Sequence, residues 1–203
     1  RVTGALTPRA AMIFAIALEI VAFLVLWAGA NVLAAVLAVS ATLFYVFVYS
    51  LWLKRTSKQN IVIGGAAGAM PVLVGWAAVT NSLGWTPVVL FVVIFLWTPP
   101  HFWALAIRHA DDYKAAGVPM MPVVVSLERT VRSMTVYAVL LTISTLVLIP
   151  VADLGWIYGV TSLVFGVAFV IGAVRLGSDP SPKRSMRLFT FSITYVTAIF
   201  VAL

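Results

Sequence analysis

The stretch Thr86 to Pro122, "TPVVLFVVIFLWTPPHFWALAIRHADDYKAAGVPMMP", joins a long apolar run to a polar segment. The apolar run, residues 86–107, is long enough for a helix to cross the hydrocarbon core of a bilayer, which takes about 20 residues. The segment after it holds Arg, His, two adjacent Asp, Tyr and Lys. The stretch therefore predicts a membrane-spanning helix that ends in a group of reactive side chains.

The rest of the chain has the same apolar character. Of its 203 residues 63% are hydrophobic and only 9% are charged, and the mean hydropathy is +1.12. Soluble domains carry about 25% charged residues, so a soluble fold is excluded. Outer-membrane strands, which alternate over about ten residues, are excluded as well. We predict an all-α, polytopic transmembrane helix bundle with seven spans, at residues 10–30, 31–53, 61–80, 86–107, 133–152, 155–176 and 186–203.

The net charge of +7 is unevenly placed along the chain. The connections around residues 29–31, 81–87 and 152–155 carry no Lys or Arg. With seven spans, all basic clusters fall on one face of the membrane, which the positive-inside rule makes cytoplasmic. The charge therefore sets topology, and no nucleic-acid partner is expected. The clusters are Arg1 and Arg9; Lys54, Arg55 and Lys58; Arg108, Lys114, Arg129 and Arg132; and Arg175, Lys183, Arg184 and Arg187.

Two adjacent prolines interrupt the apolar run. Pro99 and Pro100 lack the N–H that a helix interior needs, and Thr98 followed by Pro99 is typical of a helix start. We therefore expect the helix to restart at Thr98, run to about Ala116 and stop at Gly117. One face of this restarted helix would carry His101, Leu105, Arg108 and Asp112.

The polar face of that helix has two interpretations. Arg108 and Asp112 could form an ordinary i,i+4 pair on the helix surface, with His101 as a buried, hydrogen-bonded histidine. Alternatively, Asp111 and Asp112 could hold a hard divalent cation beside basic residues that bind phosphate. The long loop at 108–132 favours the second interpretation, since long loops in compact proteins are usually functional.

A second stretch, "LKRTSKQNIVIGGAAGAMP" at residues 53–71, starts on the same face. Its basic residues set topology and could also bind an anion. Asn60, Gly64 and Gly68 follow at spacings of four and would form a stripe of small residues below an amide. Glycines at this spacing usually serve helix packing in membranes, whereas the amide at the membrane surface indicates a functional residue.

Glu19 lies near the centre of the first span, where an ionised carboxylate is costly. No basic residue stands at the same depth. We expect a protonated or hydrogen-bonded carboxyl there, with a direct functional role as the alternative.

Three motifs carry a resemblance to a known family. "LKRTSKQ" at 53–59, "NIVIGGAAGAMP" at 60–71 and "WTPPHFWALAIRHADDYKAAGVPMMPVV" at 97–124 resemble the protohaem IX farnesyltransferases (haem O synthases) of the UbiA superfamily of intramembrane prenyltransferases. The resemblance implies a nine-helix bundle around a cavity open to the cytoplasm, in a bacterial-type plasma membrane. Two aspartate-rich loops would bind Mg²⁺ and farnesyl diphosphate. The farnesyl group would alkylate a vinyl group of haem B to give haem O, which a downstream haem A synthase would use.

The resemblance also implies roles for single residues. Asp111 and Asp112 fall in the family's second aspartate-rich motif as metal ligands, although "ADDYKAAG" offers no third Asp. Asn60 and Tyr113 would act at the mouth of the site, Tyr113 by bonding phosphate or by shielding the cation with its ring. The remaining roles are diphosphate binding for Lys54, Arg55, Arg108 and Lys114, and haem contact for His101 and His109.

The family's first aspartate-rich motif, of the form Asn-Asp-x-x-Asp, does not occur in residues 1–203. Asp153 lies on the opposite face, Glu19 is mid-membrane, and Asp179 is isolated in the last basic loop. Because the chain also opens on Arg1 and has seven spans, we expect residues 1–203 to be a single prenyltransferase domain that lacks its first two helices. Such a fragment would have little or no activity alone.

Two other functions remain open from the sequence. One is a UbiA-type prenyltransferase acting on a quinone or chlorophyll precursor. The other is a secondary transporter with a proline-broken helix at its binding site, although here the polar groups gather at one interface rather than at the midplane.

Overall fold

The computed structural model of the chain describes residues 7–179 and 181–203, and these form helices joined by short turns, with no strand among them. The prediction of an all-α fold is therefore confirmed. The helices are α1 (Pro8–Gly29), α2 (Val32–Leu43), a π-helical segment (Phe44–Leu53), α3 (Lys54–Thr56), α4 (Asn60–Thr80), α5 (Trp85–Arg108), α6 (Ala110–Ala115), α7 (Met121–Val124), α8 (Leu127–Val151), α9 (Trp156–Ser178) and α10 (Pro182–Ala202).

Seven spans are long and apolar enough to cross a membrane, counting Val32–Thr56 as one, which confirms the predicted number. Two spans begin a full helical turn or more before the predicted start because serines cap them. The Ser126 hydroxyl accepts a hydrogen bond from the third residue after it, so α8 begins at Leu127 rather than at 133. Ser181 does the same for α10. The last span is therefore 21 residues long, comfortably enough to cross a bilayer.

Four of the spans close into a bundle. α5 packs on α8, α8 on α9, α9 on α10, and α10 returns to α5. The main hydrophobic core fills this bundle, and its largest fully buried side chains are Trp103, Tyr158, Tyr195 and Phe169. The other three spans extend from it as a row, since α4 packs on α5, α2 on α4 and α1 on α2. α1 contributes no buried residue.

All basic helix ends lie on one side, called here the basic face. Consecutive spans alternate in direction, and each end at that face carries Lys or Arg. The opposite ends carry none. There, Asn31 caps α2 and its Nδ2 donates to the Ala77 carbonyl at 2.7 Å, which ties the α1–α2 hairpin to the end of α4. This pattern agrees with an integral, multi-pass membrane protein.

Candidate active site

α5 runs through the proline pair without a break, so the predicted restart at Thr98 is wrong. Thr98 lies inside the helix, and its hydroxyl donates to the Ile94 carbonyl at 2.9 Å. The whole segment from Thr98 to His101 is buried between neighbouring helices. Membrane helices tolerate proline where Ser or Thr side chains and neighbours compensate for the lost backbone bond. A proline-broken helix, on which the transporter alternative depended, is therefore absent from this part of the chain.

The break in the helix occurs instead at His109. This residue separates α5 from the short helix α6 and has φ −106° and ψ 29°, outside the helical region. Gly117 then ends the α6 turn with φ +64°, and its N–H bonds the Lys114 carbonyl. The predicted stop at Gly117 is thus confirmed. The polar residues belong to two helices rather than to one continuous face.

The two aspartates lie in the first turn of α6, and both are exposed. The Nδ1 of His109 lies 3.0 Å from Oδ2 of Asp112. Arg108 forms no ion pair in the residues that the structure describes, so the interpretation of Arg108 and Asp112 as a surface pair is wrong. The same residues contain no group of three or more potential His, Cys, Asp or Glu ligands. Asp111 and Asp112, called here the acidic pair, therefore offer hard oxygen ligands from two adjacent carboxylates.

Asn60 is the first residue of α4 and is 1% exposed. Its Nδ2 makes one long hydrogen bond, 3.5 Å, to the carbonyl of Lys54. Its Oδ1 has no hydrogen-bond partner among the described residues. A buried amide oxygen without a partner is costly, and such groups in native structures call for an explanation such as a ligand. Among the residues predicted from the sequence, Asn60 is thus the one whose burial gives a physical reason to expect a ligand beside the acidic pair.

A small hydrophobic cluster joins the Asn60 side of the site to the aspartate side. Ile61, Ala106 and Met120 form its buried centre, and Phe102 and Tyr113 pack against them. The cluster therefore links the start of α4, the end of α5 and α6. Tyr113 is half-buried in it directly beside Asp112. The four predicted diphosphate-binding residues lie on the same basic face with exposed side chains, namely Lys54, Arg55, Arg108 and Lys114.

A cavity of about 530 Å³ lies between the second span, α4 and α5, and ends at this cluster. Ile61 and Phe102 belong both to the cluster and to the cavity wall. Cavities of about 300–1,000 Å³ are the usual size for small-molecule sites. Most of the wall is apolar or aromatic, and it includes Ala41, Thr42, Tyr45, Tyr49, Gly64, Gly68, Trp97 and Thr98.

The tyrosines of this wall come from the π-helical segment. Tyr45 and Tyr49 lie with ring centroids 5.3 Å apart. Gly64 accommodates the Tyr49 ring, because a Cβ there would collide with it, whereas a Cβ on Gly68 would meet nothing within 4 Å. Of the two glycines only Gly64 serves close packing, and Gly68 faces open space. Sequence reasoning missed both tyrosines, although the "FYVFVYSLWL" stretch repeats Tyr at i,i+4, a spacing that places both on one helix face.

His101 is 8% exposed and held on several sides. Its ring stacks between Trp97 and Phe189, at centroid distances of 4.1 and 4.4 Å. Its Nδ1 lies 2.6 Å from the Ser192 hydroxyl, and that hydroxyl donates its one hydrogen to the Phe189 carbonyl at 2.6 Å. Nδ1 must therefore donate to Ser192. This leaves the Nε2 lone pair of a neutral imidazole available, with no partner among the described residues.

Two other acids lie apart from the site. Glu19 lines a separate cavity of about 370 Å³ between α1 and α2 with Ile20, Phe23, Val36 and Ser40, and no described residue bonds its carboxyl. Asp179 is not isolated as expected, because its Oδ2 lies 3.0 Å from Nε of Arg184. Neither residue reaches the acidic pair.

Comparison with known proteins shows the family of the chain. Residues 1–196 match the UbiA prenyltransferase family. Three relatives are called protoheme IX farnesyltransferases. The one from Gloeobacter violaceus is 52% identical and covers 98% of this chain and 66% of its own. Those from Parafrankia sp. and Frankia alni are 52% and 49% identical, covering 97% and 100% of this chain and 64% and 71% of their own.

The chain thus spans about two thirds of the length of these relatives. A solved structure of a digeranylgeranylglyceryl phosphate synthase shares the fold, with a TM-score of 0.81 over 100% of this chain and 71% of its own, at 18% identity. At that identity the likeness concerns the fold alone. The family match and the 52% identity decide the assignment: the chain belongs to the UbiA prenyltransferase family.

Proposed function

We propose that the protein transfers a farnesyl group from farnesyl diphosphate to a vinyl group of protohaem IX (haem B), giving haem O. One arrangement carries the proposal. The acidic pair on α6 and the buried amide of Asn60 stand beside the cluster that closes an aromatic-lined membrane cavity. Relatives with about half of their residues identical bear the name of this activity. The 108–132 loop contains the acidic pair, as the second motif of that family requires.

Asp111 and Asp112 would hold a magnesium ion. Mg²⁺ in proteins is usually bound through one or two carboxylates together with substrate phosphates and water, so two aspartates fit it without a third. When bound, the ion neutralises the diphosphate and favours its departure. His109 would orient the Asp112 carboxylate, since its Nδ1 contacts that carboxylate in the structure. This contact favours an orienting role for His109 over contact with haem.

The diphosphate would be bound on the basic face. Asn60 would meet the substrate or its hydration shell through its Nδ2 or its Oδ1, which has no partner among the described residues. The exposed basic side chains would balance the remaining phosphate charge, because arginine and lysine are the usual partners of phosphate oxygens. These residues are Lys54, Arg55, Arg108 and Lys114.

The farnesyl chain would occupy the cavity. Its C1–O bond breaks, and the diphosphate leaves with the electron pair. Aromatic faces attract cations, so Tyr45 and Tyr49 would stabilise the farnesyl cation next to Tyr113. The cation then bonds to the terminal vinyl carbon of haem B. Water adds to the inner vinyl carbon and releases its proton to the solvent.

His101 would contact the haem. Its Nδ1–H is committed to Ser192, so Nε2 carries the free lone pair, the usual state of an imidazole that binds a metal. The stacking on Trp97 and Phe189 fixes the ring plane. His101 would therefore orient the substrate by contact of Nε2 with the haem iron.

We place the active site at the cytoplasmic face of a bacterial-type plasma membrane, since the basic clusters mark that face. Haem O leaving the site would be the substrate of a haem A synthase. Membrane topology and diphosphate binding explain the positive charge of the chain without a nucleic-acid partner.

Production of haem O tests the proposal directly. The chain is expressed in a bacterial strain without haem O synthase, both alone and joined to the part of the Gloeobacter relative that it does not match. Extracted haems are separated by chromatography. We expect haem O from the joined protein, its loss in the Asp111→Asn variant, and little from the chain alone. Prenylation of a quinone precursor without haem O would overturn the assignment.

A further inference from the structure

α8 carries a separate groove on the outside of the bundle, near its beginning at the basic face. The groove has a volume of about 320 Å³. Its lining comes from one side of the helix, at spacings of three and four residues, and consists of Arg129, Arg132, Ser133, Val136 and Tyr137. α8 packs on α5, α7 and α9, so this groove is distinct from the cavity between the second span, α4 and α5.

The polar end of the groove has donors and no carboxylate. Arg129 and Arg132 are exposed and form no ion pair within residues 7–179 and 181–203. Ser133 and Tyr137 likewise make no side-chain hydrogen bond there. Glu128, the nearest acid in sequence, lies in the first turn of α8 and lines a different cavity between α8 and α9. Arg132 lines that cavity too, but it forms no ion pair with Glu128 in the described residues. Two unpaired cations in the first turns of a helix are unfavourable next to its positive dipole end, so an anion in the groove would relieve both.

The apolar end of the groove continues along the membrane-facing side of α8. Four apolar residues follow one another down the helix and are each 43–51% exposed, namely Val136, Leu140, Ile143 and Val147. Tyr137 is held at the junction because its ring packs edge-on against Trp103, at a centroid distance of 5.6 Å. Donors at the interface therefore lead directly onto an apolar strip of about 17 Å along α8, roughly half the thickness of the hydrocarbon core.

We propose that this groove binds an anionic phospholipid, with the phosphodiester headgroup on Arg129, Arg132 and Ser133 and an acyl chain along the strip. Charge complementarity identifies the occupant, because basic pockets at this membrane face attract anionic headgroups. Guanidinium groups suit phosphate oxygens, which they bind in pairs. The apolar strip distinguishes a lipid from free phosphate. This site is independent of the proposed transferase activity.

Lipid binding to the purified, detergent-solubilised protein tests the site. Native mass spectrometry gives the affinity for phosphatidylglycerol and for phosphatidylcholine. The variant Arg129→Gln/Arg132→Gln is compared with Lys183→Gln/Arg187→Gln, which removes two exposed cations from the first turns of α10 at the same face. At about thirtyfold per two basic residues, we expect the first pair to weaken phosphatidylglycerol binding about thirtyfold and the second by less than about twofold.

Several results would overturn the site. Equal losses in the two double variants would show that net charge alone attracts lipid. Equal affinity for the two lipids, or displacement of phosphatidylglycerol by millimolar inorganic phosphate, would also contradict it. Arg129→Lys/Arg132→Lys guards against a folding defect, since it keeps the charge and should retain most of the affinity. Loss of phosphatidylglycerol binding in this variant, together with a normal elution profile, would likewise contradict the proposed site.

Discussion

Alanine at Gly64 and at Gly68 gives a matched test of the cavity wall. Both glycines lie on α4 and both line the cavity. Replacing glycine by alanine in a helix interior gains about 1 kcal/mol in helix propensity at either position. At Gly64 the new methyl group collides with the Tyr49 ring, whereas at Gly68 it meets nothing within 4 Å. Overpacking of this kind costs about 1–3 kcal/mol.

We therefore expect Gly68→Ala to be more stable than Gly64→Ala by about 1–3 kcal/mol. The assay is thermal unfolding of the purified proteins in one detergent. Unfolding is monitored as the fraction of protein that stays monodisperse at each temperature. For a chain of this size each kcal/mol corresponds to about 2–4 °C in Tm. If Tyr49 relieves the clash by turning into the cavity, Gly64→Ala should also bind farnesyl diphosphate more weakly. Equal Tm values and equal affinities in the two variants would refute the packing of Tyr49 on Gly64.

Three further predictions follow from single contacts. Asp111→Asn and Asp112→Asn should each weaken Mg²⁺-dependent binding of farnesyl diphosphate by about 10–100-fold, measured by calorimetry; unchanged binding in both would exclude them as metal ligands. Ser192→Ala leaves the buried Nδ1 of His101 without its acceptor and should lower the free energy of unfolding by about 1–3 kcal/mol, and an unchanged Tm would contradict the hydrogen bond. Asn31→Ala removes a helix cap and the link to α4, so a loss of about 0.5–2 kcal/mol is expected, and a neutral result in the same assay would show that this turn carries little stability.

The seven spans could be predicted because lipid leaves few alternatives. A backbone in hydrocarbon must satisfy its own hydrogen bonds, which only helices and closed barrels achieve. Apolar length therefore locates the spans, and the even spacing of the charge clusters between them places all basic ends on one face. The errors fell at span ends, where Ser126 and Ser181 extend two helices beyond the apolar run. Capping acts at the interface, outside the part of the sequence that hydropathy describes.

The acidic pair and Asn60 are proposed as site residues from the sequence, through residue chemistry and the family motifs. The proline pair was misinterpreted because the rule for an N-cap at Thr98 assumes a helix end in water. In the structure this turn is buried, so no solvent competes for the freed carbonyls and packing maintains the helix. The helix breaks instead at His109, where the chain reaches the surface. Gly117, with its positive φ, then ends the short helix α6.

The cavity could not be predicted, since it depends on helix geometry that leaves little trace in composition. The π-helical segment widens the second span over Phe44–Leu53, and π-helical turns are frequent at functional sites. This brings Tyr49 onto Gly64, a contact between two spans. Pairwise contacts of this kind are set by the packing of α2 and α4 rather than by local propensity.

The proline turn of α5 links the two parts of the proposed site. Thr98, at its start, packs on Gly65 of α4, where a Cβ would approach the threonine side chain to 3.0 Å. His101, at its end, bonds Ser192 of α10, and Trp97 donates to the Ser192 carbonyl at 2.8 Å. Proline fixes φ near −65°, so the two prolines limit the conformations of the residues between these contacts. The pair therefore stiffens the turn that sets the cavity wall on α4 relative to the histidine facing α10, which explains prolines in a helix that does not break.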